Sequence, residues 1–267
     1  MPADTIDWVP GDLFDGTALQ QLLQGADAVI HCAGAVRGNS QQQFSRTNVE
    51  GTRHLLEAAQ RQATRPRVLM LSSLAAREPE LSWYSRSKFE SEKILQDTGL
   101  DWTILRPPAV YGPGDEEMRA IFDWMARGIA LVPAAATARA SMIHVSDLVE
   151  AIVSCLLTNN TLSQTLNACD GKAGGYDWYE MAAIAEHTWQ RRVRLFRVPG
   201  WLLDTVATSN LQLARLSGRA AMLTPPKLRE LRHPDWVVDN REISDLTNWQ
   251  PGISLEKGLQ ALRDSAF

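Results

Sequence analysis

The side chains best suited to chemistry lie in the stretch LSSLAAREPELSWYSRSK, residues 71–88. Tyr84 and Lys88 are four residues apart in a segment with helical periodicity, so their side chains share one helix face. Ser72 and Ser73 follow a continuous apolar segment that predicts a buried strand. The pattern therefore predicts a tyrosine, a lysine and a serine near one edge of a sheet, where ligands bind in open α/β folds.

These residue types suit proton transfer to or from a substrate oxygen. A tyrosine hydroxyl has an ordinary pKa of about 10 and is a poor acid or base at neutral pH. The ammonium of Lys88 would favour the Tyr84 phenolate and lower its pKa. A hydroxyl from Ser72 or Ser73 can hold a carbonyl or alcohol oxygen while the tyrosine gives or takes its proton. Tyr-x-x-x-Lys alone is common on ordinary helices, so the surrounding elements must support this interpretation.

Strand and helix patterns alternate along the first half of the chain. Strands are predicted at Ile6–Val9 and in ADAVIHCAG, RVLMLSS and DWTILRPP. Helices are predicted between them in TALQQLLQG, NVEGTRHLLEAAQRQA and YSRSKFESEKILQDTG. Fully apolar strands such as VLML indicate burial on both faces, so the pattern predicts a parallel sheet covered by helices.

The alternation loosens after residue 112, which predicts two lobes. Residues 1–112, with parts of 141–170, are predicted to form the sheet-based lobe. Residues 113–140 and 171–267 are predicted to form a smaller, mainly helical lobe that binds the substrate.

Composition excludes several classes of protein. The 267 residues are 45% hydrophobic with a formal net charge of -4, which allows a substantial core and gives no basic excess for a nucleic acid or an anionic membrane. Cys32, Cys155 and Cys169 are an odd number in apolar surroundings, as expected for the reduced thiols of a cytoplasmic protein. The sequence has neither an apolar run of about 18 residues nor a signal-peptide pattern, so no membrane span is predicted.

Other polar residues carry weaker signals. The histidines and cysteines lack ligand spacing such as His-x-x-x-His or Cys-x-x-Cys, so no metal site is predicted. His144 and Asp147 in IHVSDL are better suited to orienting the junction between the lobes than to catalysis. Arg139 could bind a substrate anion or belong to a solvated loop, and both alternatives stay open.

Several stretches resemble, in the right order, the motifs of the extended short-chain dehydrogenase/reductase family, also called the NAD-dependent epimerase/dehydratase family. They are VPGDL, VIHCAGAVRG, NVEGTRHLLEAA, LSS with YSRSK, LRPPAVYGPGD, MIHVSDLVEAI and LTNWQPGISLEKGLQ. Their combination covers nearly the whole chain and is more specific than any single motif. The resemblance implies a Rossmann-like parallel sheet with helices on both faces, in which the 1–112 lobe binds a nucleotide, and a smaller, mainly helical C-terminal lobe.

The resemblance also implies roles for individual residues. Tyr84 would be the acid/base, and Lys88 would be its partner and hold the nicotinamide ribose. Ser73 would bind the substrate oxygen, with Ser72 as the second candidate because the family motif shifts by one residue between members. Asn48 would support the lysine through its backbone and a bound water.

The implied cofactor is NAD or NADP. The residues that would hold it are Asp12 and Leu13 at the adenine, Ala33 and Gly34 at the middle of the dinucleotide, Lys88 at the ribose and Pro107 at the carboxamide. The choice between NAD and NADP is made largely at the end of the family's second strand. No segment of this sequence resembles that strand, so the choice stays open.

One part of the family pattern has no counterpart in the sequence. It is the strand, Gly-x-x-Gly-x-x-Gly turn and helix whose N-terminus binds the pyrophosphate. We therefore expect the first two strands of the sheet to be missing, together with the phosphate site. An N-terminally shortened enzyme, a non-catalytic sensor or interaction protein that has lost the dinucleotide site, and an enzyme of another class are the alternatives. The retained catalytic set favours the first.

The implied function is NAD(P)-dependent oxidoreductase, epimerase or dehydratase activity on a secondary alcohol or ketone, by Tyr-Lys-Ser acid/base chemistry and hydride transfer. The second lobe is apolar and aromatic, which favours a weakly charged alcohol or ketone over a nucleotide sugar. The motif does not choose among reduction, dehydration and epimerisation. A homodimer stays open as a further partner.

Overall fold

The structure is a computed structural model that describes residues 6–218, 220–221 and 223–264. Helices and strands alternate along its first part, as the sequence predicts. These elements are α1 (Gly16–Leu23), β1 (Ala28–His31), α2 (Gln41–Phe44), α3 (Gly51–Gln60), β2 (Arg67–Leu71), α4 (Trp83–Gln96) and β3 (Trp102–Arg106). A π-helical segment, Ser45–Glu50, joins α2 to α3, and a short 3-10 helix, Leu74–Arg77, follows β2.

The later part of the chain contains shorter strands and more helix. Its elements are β4 (Ala109–Tyr111), α5 (Glu117–Ala126), β5 (Ile129–Val132), β6 (Arg139–Ala140), β7 (Met142–His144), α6 (Val145–Leu156), β8 (Gln164–Asn167), α7 (Trp178–Trp189), β9 (Arg194–Arg197), α8 (Gly200–Ser217), α9 (Pro225–Leu231), β10 (Asp235–Trp236), α10 (Arg241–Thr247) and α11 (Leu255–Asp264). Within the described ranges, no helix combines the length and apolar content needed to cross a bilayer.

The main sheet has four parallel strands in the order β1-β2-β3-β8. The pairing aligns Val29 with Val68, Leu69 with Thr103, and Leu105 with Leu166. Because the strands are parallel, their carboxyl ends lie along a single edge of the sheet. This edge carries the segments that follow β1, β2 and β3, where the sequence predicts the site.

Apolar residues cover both faces of this sheet. Val68 and Met70 of β2 pack with residues of α1 and α3, whereas Leu69 of the same strand packs with residues of α6. Successive side chains of a strand point to opposite faces, so an apolar run such as VLML is buried on both. The predicted parallel sheet with helices on both faces is confirmed.

The strand predicted at Ile6–Val9 is not formed. Residues 6–9 are neither helix nor strand, and Trp8 is 86% exposed. A strand requires a partner for its ladder hydrogen bonds. In the described part of the chain, β1 pairs only with β2, and no strand pairs with residues 6–9.

A separate apolar cluster lies among the later elements. It joins Tyr111 of β4, Phe122 of α5, Met181 of α7 and Leu259 of α11. α11 comes so close to β4 that a Cβ on Gly258 would lie 2.5 Å from the Tyr111 ring. This core is consistent with a second lobe, whose boundary at residue 112 stays a prediction.

Candidate active site

Most of the predicted site residues follow strands at the carboxyl edge of the main sheet. Ala33 and Gly34 follow β1 and are exposed, Ser72 and Ser73 follow β2, and Pro107 follows β3. The Leu74 amide donates to the Pro107 carbonyl over 2.8 Å, which joins the segments after β2 and β3. The parallel topology therefore brings these residues to one edge.

Asn48 is buried and holds the turn that follows β1. Its Oδ1 accepts from the Ala35 amide at 2.6 Å, and its Nδ2 donates to the Ala35 carbonyl at 3.0 Å and to Ser87 Oγ at 2.8 Å. Its backbone carbonyl accepts from Thr52 Oγ1 and Ser91 Oγ. Asn48 thus positions the turn with its side chain, and the role of its backbone beside Lys88 stays a prediction.

Lys88 lies beneath the same turn. Only 8% of the residue is exposed, and its Nζ donates to the Leu71 carbonyl at the end of β2 over 2.9 Å. A Cβ on Gly34 would lie 3.5 Å from this Nζ and 3.3 Å from Asn48 Oδ1. Burial lowers the pKa of Lys88, while the nearby Glu92 and Cys32 side chains act to raise it.

The two candidate serines have different surroundings. Ser72 is buried and donates its hydroxyl hydrogen to Glu92, which in turn accepts from Arg106 Nε at 2.9 Å. Ser73 is half-buried, and its Oγ accepts from the Ala75 amide at 3.2 Å as the cap of the short 3-10 helix. The Ser72 hydrogen is used on Glu92, whereas the Ser73 hydroxyl is hydrogen-bonded to the Tyr84 hydroxyl and favours its phenolate.

Tyr84 lies in the first turn of α4. The helix begins at this point because Ser82 caps it, accepting from the Ser85 amide at 2.9 Å. The Tyr84 ring meets that of Phe44 edge-on, with 6.3 Å between the ring centroids. Burial raises the pKa of Tyr84, and the Ser73 hydroxyl and the Lys227 ammonium both act to lower it.

Lys227 and Glu230 of α9 also lie at this site, and they were missed from the sequence. Lys227 Nζ lies 5.5 Å from the centroid of the Tyr84 ring and 2.5 Å from Glu230 Oε1. Their spacing of three within TPPKLREL predicts a shared helix face. Nothing in that spacing indicates that the face meets Tyr84, because the contact depends on the packing of α9 against α4.

Asp12 and Leu13, the predicted adenine contacts, lie beside α3. Asp12 is exposed, and its Oδ1 accepts from the Phe14 amide at 2.7 Å. Leu13 packs against the start of α3, where a Cβ on Gly51 would lie 2.7 Å from Leu13 Cδ1. These residues therefore approach the helix that continues from Asn48.

The loop after β1 also contacts the later helices. Arg37 Nε lies 3.4 Å from Glu117 Oε1 of α5. Asn39 is buried, donates to the Ala214 carbonyl of α8 at 3.2 Å, and accepts from the Ala221 amide at 2.8 Å. The loop that borders the predicted site thus joins the sheet to α5 and α8.

A small cavity of about 10 Å³ lies beside Tyr84. Its lining is mainly apolar and includes Val36, Phe44, Trp83, Tyr84, Pro226 and Lys227. Ligand sites for small organic molecules are usually several hundred Å³. In this conformation α9 and the loop after β1 therefore enclose Tyr84 closely.

Two other candidates, His144 and Asp147, have structural partners. Asp147 accepts from the amides of Gly252 at 3.2 Å and Ile253 at 2.9 Å, and His144 Nδ1 accepts from the Ser146 amide. These bonds support the structural interpretation of His144 and Asp147.

Neither alternative weighed for Arg139 describes its environment. Its guanidinium pairs with Asp177 at 3.1 Å and Glu180 at 2.6 Å at the start of α7. It also donates to the carbonyls of Gly174 and Gly175. The arginine is committed to ion pairs within the protein, because β6 lies beside the N-terminus of α7.

The cysteines and the possible metal ligands of the described ranges form no further site. Cys32 is an exposed free thiol, and Cys155 and Cys169 are buried free thiols. No group of three or more His, Cys, Asp or Glu side chains in these ranges is arranged to hold a metal ion.

Comparison with known proteins agrees with the observed fold. The sequence profile of the NAD dependent epimerase/dehydratase family matches residues 2–169. A ceramide reductase of Caulobacter vibrioides is 34% identical over 240 residues, which cover 90% of this chain and 74% of that protein.

Two solved structures have the same fold at lower sequence identity. UDP-glucuronic acid 4-epimerase from Bacillus cereus, in complex with UDP-glucuronic acid and NAD, has a TM-score of 0.70 at 20% identity, over 95% of this chain and 79% of that one. RMD from Pseudomonas aeruginosa, complexed with NADPH, has a TM-score of 0.72 at 19% identity, over 97% and 88% of the two chains. At this identity the likeness supports the fold alone.

Proposed function

The chain belongs to the NAD dependent epimerase/dehydratase family, and on that premise we propose that it is an NAD(P)-dependent oxidoreductase that acts on a secondary alcohol or ketone. One observation carries the proposal. Asn48 binds the backbone of Ala35 in the turn after β1, and Lys88, one helical turn from Tyr84, binds the end of β2 with its Nζ 3.5 Å from the position that a Cβ on Gly34 would take. Open α/β sheets bind their ligands at this edge.

One feature of this edge, the accessible backbone of Gly34, is compatible with a bound dinucleotide. Gly34 is exposed and has no side chain, so a ligand can approach its backbone, while a Cβ there would crowd Asn48 and Lys88. Asp12 and Leu13 would hold the adenine, Ala33 and Gly34 the middle, Lys88 the ribose and Pro107 the carboxamide. When bound, the nicotinamide supplies or accepts the hydride.

Tyr84 would move the proton of the reaction. In the direction of reduction, its hydroxyl gives a proton to the oxygen of the substrate carbonyl, and in oxidation its phenolate takes that proton back. The Ser73 hydroxyl would donate a hydrogen bond to the same oxygen and so hold the carbonyl in place. Ser72 is less suited to this task because its hydroxyl is bound to Glu92.

The surroundings of Tyr84 favour an apolar substrate. Val36, Phe44, Trp83 and Pro226 line the cavity beside it. The Caulobacter vibrioides relative is by name a ceramide reductase, and a ceramide is a long-chain lipid. We therefore propose a long-chain alcohol or ketone as the substrate class, and reduction or oxidation as the reaction.

Two measurements test this function. Titration of the chain with NADH and NADPH, followed by nicotinamide fluorescence, should detect at least weak binding of one of them, weak because the sequence has no counterpart of the family's pyrophosphate turn; no binding at millimolar concentrations would refute the cofactor dependence. Oxidation of the reduced nicotinamide should then depend on methyl decyl ketone dispersed in detergent. UDP-glucuronic acid, which has no ketone to be reduced, is the comparison substrate and is assayed separately with NAD for epimerisation; activity with it and none with the ketone would refute the apolar substrate class.

A further inference from the structure

The phenol ring of Tyr84 faces a lysine that comes from another part of the chain. Lys227 Nζ lies 5.5 Å from the centroid of the ring, a distance at which an ammonium is attracted by the negative face of an aromatic ring. Lys227 lies in the first turn of α9, which Thr224 caps by accepting from the Lys227 amide at 3.3 Å. The packing of α9 on α4 therefore adds a cation to the surroundings of the candidate acid/base.

A carboxylate keeps this lysine in place. Glu230 Oε1 lies 2.5 Å from Lys227 Nζ, and Glu230 Oε2 accepts from Ser82 Oγ at 2.6 Å and Ser85 Oγ at 3.3 Å. The lysine side chain is 24% exposed and that of the glutamate 10%. A pair this buried requires good hydrogen bonding to offset its desolvation, and the two serines of α4 provide it. Ser82 also caps the helix that carries Tyr84, so Glu230 binds the same helix end that positions the tyrosine.

The charged groups around the Tyr84 hydroxyl come from several elements. Burial raises its pKa most, the Ser73 hydroxyl and Lys227 act to lower it, and Glu230 and Glu117 act to raise it. Glu117 is partly neutralised by Arg37, whose Nε lies 3.4 Å from its carboxylate. Lys227 is therefore a positive charge on the α9 side of Tyr84 that favours the phenolate.

Lys88 makes its hydrogen bond to the end of β2. Its Nζ donates to the Leu71 carbonyl, and the groups that raise its pKa are Glu92 and Cys32. The lysine that the sequence motif pairs with Tyr84 thus holds the strand end and the turn after β1.

We propose that Lys227 is a positioning residue for acid/base chemistry, one that orients the Tyr84 ring and stabilises its phenolate while Glu230 holds the ammonium in place. The inference rests on the proposed function, because it takes Tyr84 as the group that gives and takes the proton. After Tyr84 gives its proton to the substrate oxygen, a negative charge remains on the phenolate. An ammonium over the ring, 5.5 Å from its centroid, attracts that charge in a poorly solvated site.

A titration of Tyr84 tests the inference without cofactor or substrate. The four tyrosines of the chain can be labelled with carbon-13 at Cζ, and the Tyr84 signal assigned by its absence in Y84F. In a titration carried to high pH we expect K227M to raise the midpoint of the Tyr84 signal by about one pH unit, and K227R to restore it. Because this titration does not require catalysis, its outcome is separate from that of the proposed function.

Lys93 provides a matched control. Its Nζ also lies 5.5 Å from an aromatic ring, that of Phe89, and its side chain is exposed on α4. K93M should leave the Tyr84 titration unchanged. If K227M is insoluble, K227Q makes the same test with a polar side chain. Identical Tyr84 titrations in the wild-type chain and in K227M or K227Q, including no titration in either, would overturn the proposal.

Discussion

The Lys88 ammonium donates a hydrogen bond to the Leu71 carbonyl over 2.9 Å, which ties α4 to the carboxyl end of β2. The same Nζ lies 3.5 Å from the position that a Cβ on Gly34 would take. The lysine, the strand end and the turn after β1 therefore form one packed unit. A change in the turn should therefore shift the residues that would hold the cofactor.

Gly34→Ala is expected to weaken nicotinamide binding about tenfold. The added methyl group would lie 3.3 Å from Asn48 Oδ1 and would cover backbone that a ligand has to approach. Gly16→Ala is the matched control, since a Cβ there meets nothing within 4 Å. Fluorescence titration with NADH and NADPH measures both variants. Equal affinity in G34A and G16A would show that the turn does not contact the cofactor.

We expect Ser73→Ala to lower mainly the rate of the reaction and Ser72→Ala to lower mainly the stability of the fold. S73A removes the hydroxyl proposed to hold the substrate oxygen, and we expect kcat/KM to fall about 10²-fold. S72A leaves the buried Glu92 carboxylate with one donor fewer, and its free energy of unfolding should fall by about 1–3 kcal/mol. Steady-state kinetics and urea unfolding of both variants make the comparison. The opposite pattern would assign the substrate oxygen to Ser72.

Because of His31, we expect the free energy of unfolding to fall as the pH drops below neutral. Burial and the nearby Lys88 charge lower the pKa of His31 to about 4, from an ordinary value of 6.5. As the pH falls, His31 is therefore protonated in the unfolded chain before it is protonated in the folded chain. The stability that is present above about pH 6.5 is lost as the pH falls towards 4. At about pH 5 the loss should be about 2 kcal/mol relative to pH 7.

The His31 prediction is checked by urea unfolding at both pH values. In His31→Gln this part of the pH dependence should disappear, because glutamine does not titrate and its amide can reach Thr52, the partner of His31 Nε2 at 2.8 Å. His187→Gln, at an exposed position, is the control and should retain the wild-type dependence of the free energy of unfolding on pH. The wild-type dependence of the free energy of unfolding on pH in H31Q would contradict the assignment.

Local patterns in the sequence were sufficient to predict much of the sheet and the helix that carries Tyr84. The run VLML in β2 is buried on both faces, as such a run predicts. Ser82 caps α4 at the position where the helical pattern begins, so Tyr84 and Lys88 share a helix. The family resemblance is confirmed by the match over residues 2–169. The site roles themselves stay predictions.

Contacts between distant segments could not be predicted in this way. The approach of Lys227 to Tyr84 and the ion pairs of Arg139 with α7 depend on how helices pack after the chain folds. The alternating pattern at Ile6–Val9 indicated a strand, but a strand also requires a neighbour, which the pattern does not specify. The missing N-terminal unit stays a prediction.

Turnover by Tyr84→Phe tests the central claim most directly. The variant removes one hydroxyl and keeps the ring that packs against Phe44. With methyl decyl ketone and the preferred nicotinamide, we expect kcat to fall at least about 10²-fold while the Kd for the cofactor stays within about twofold. Tyr179→Phe, at a residue that is 58% exposed, is the control and should behave as the wild-type chain. Wild-type turnover by Y84F would contradict the account.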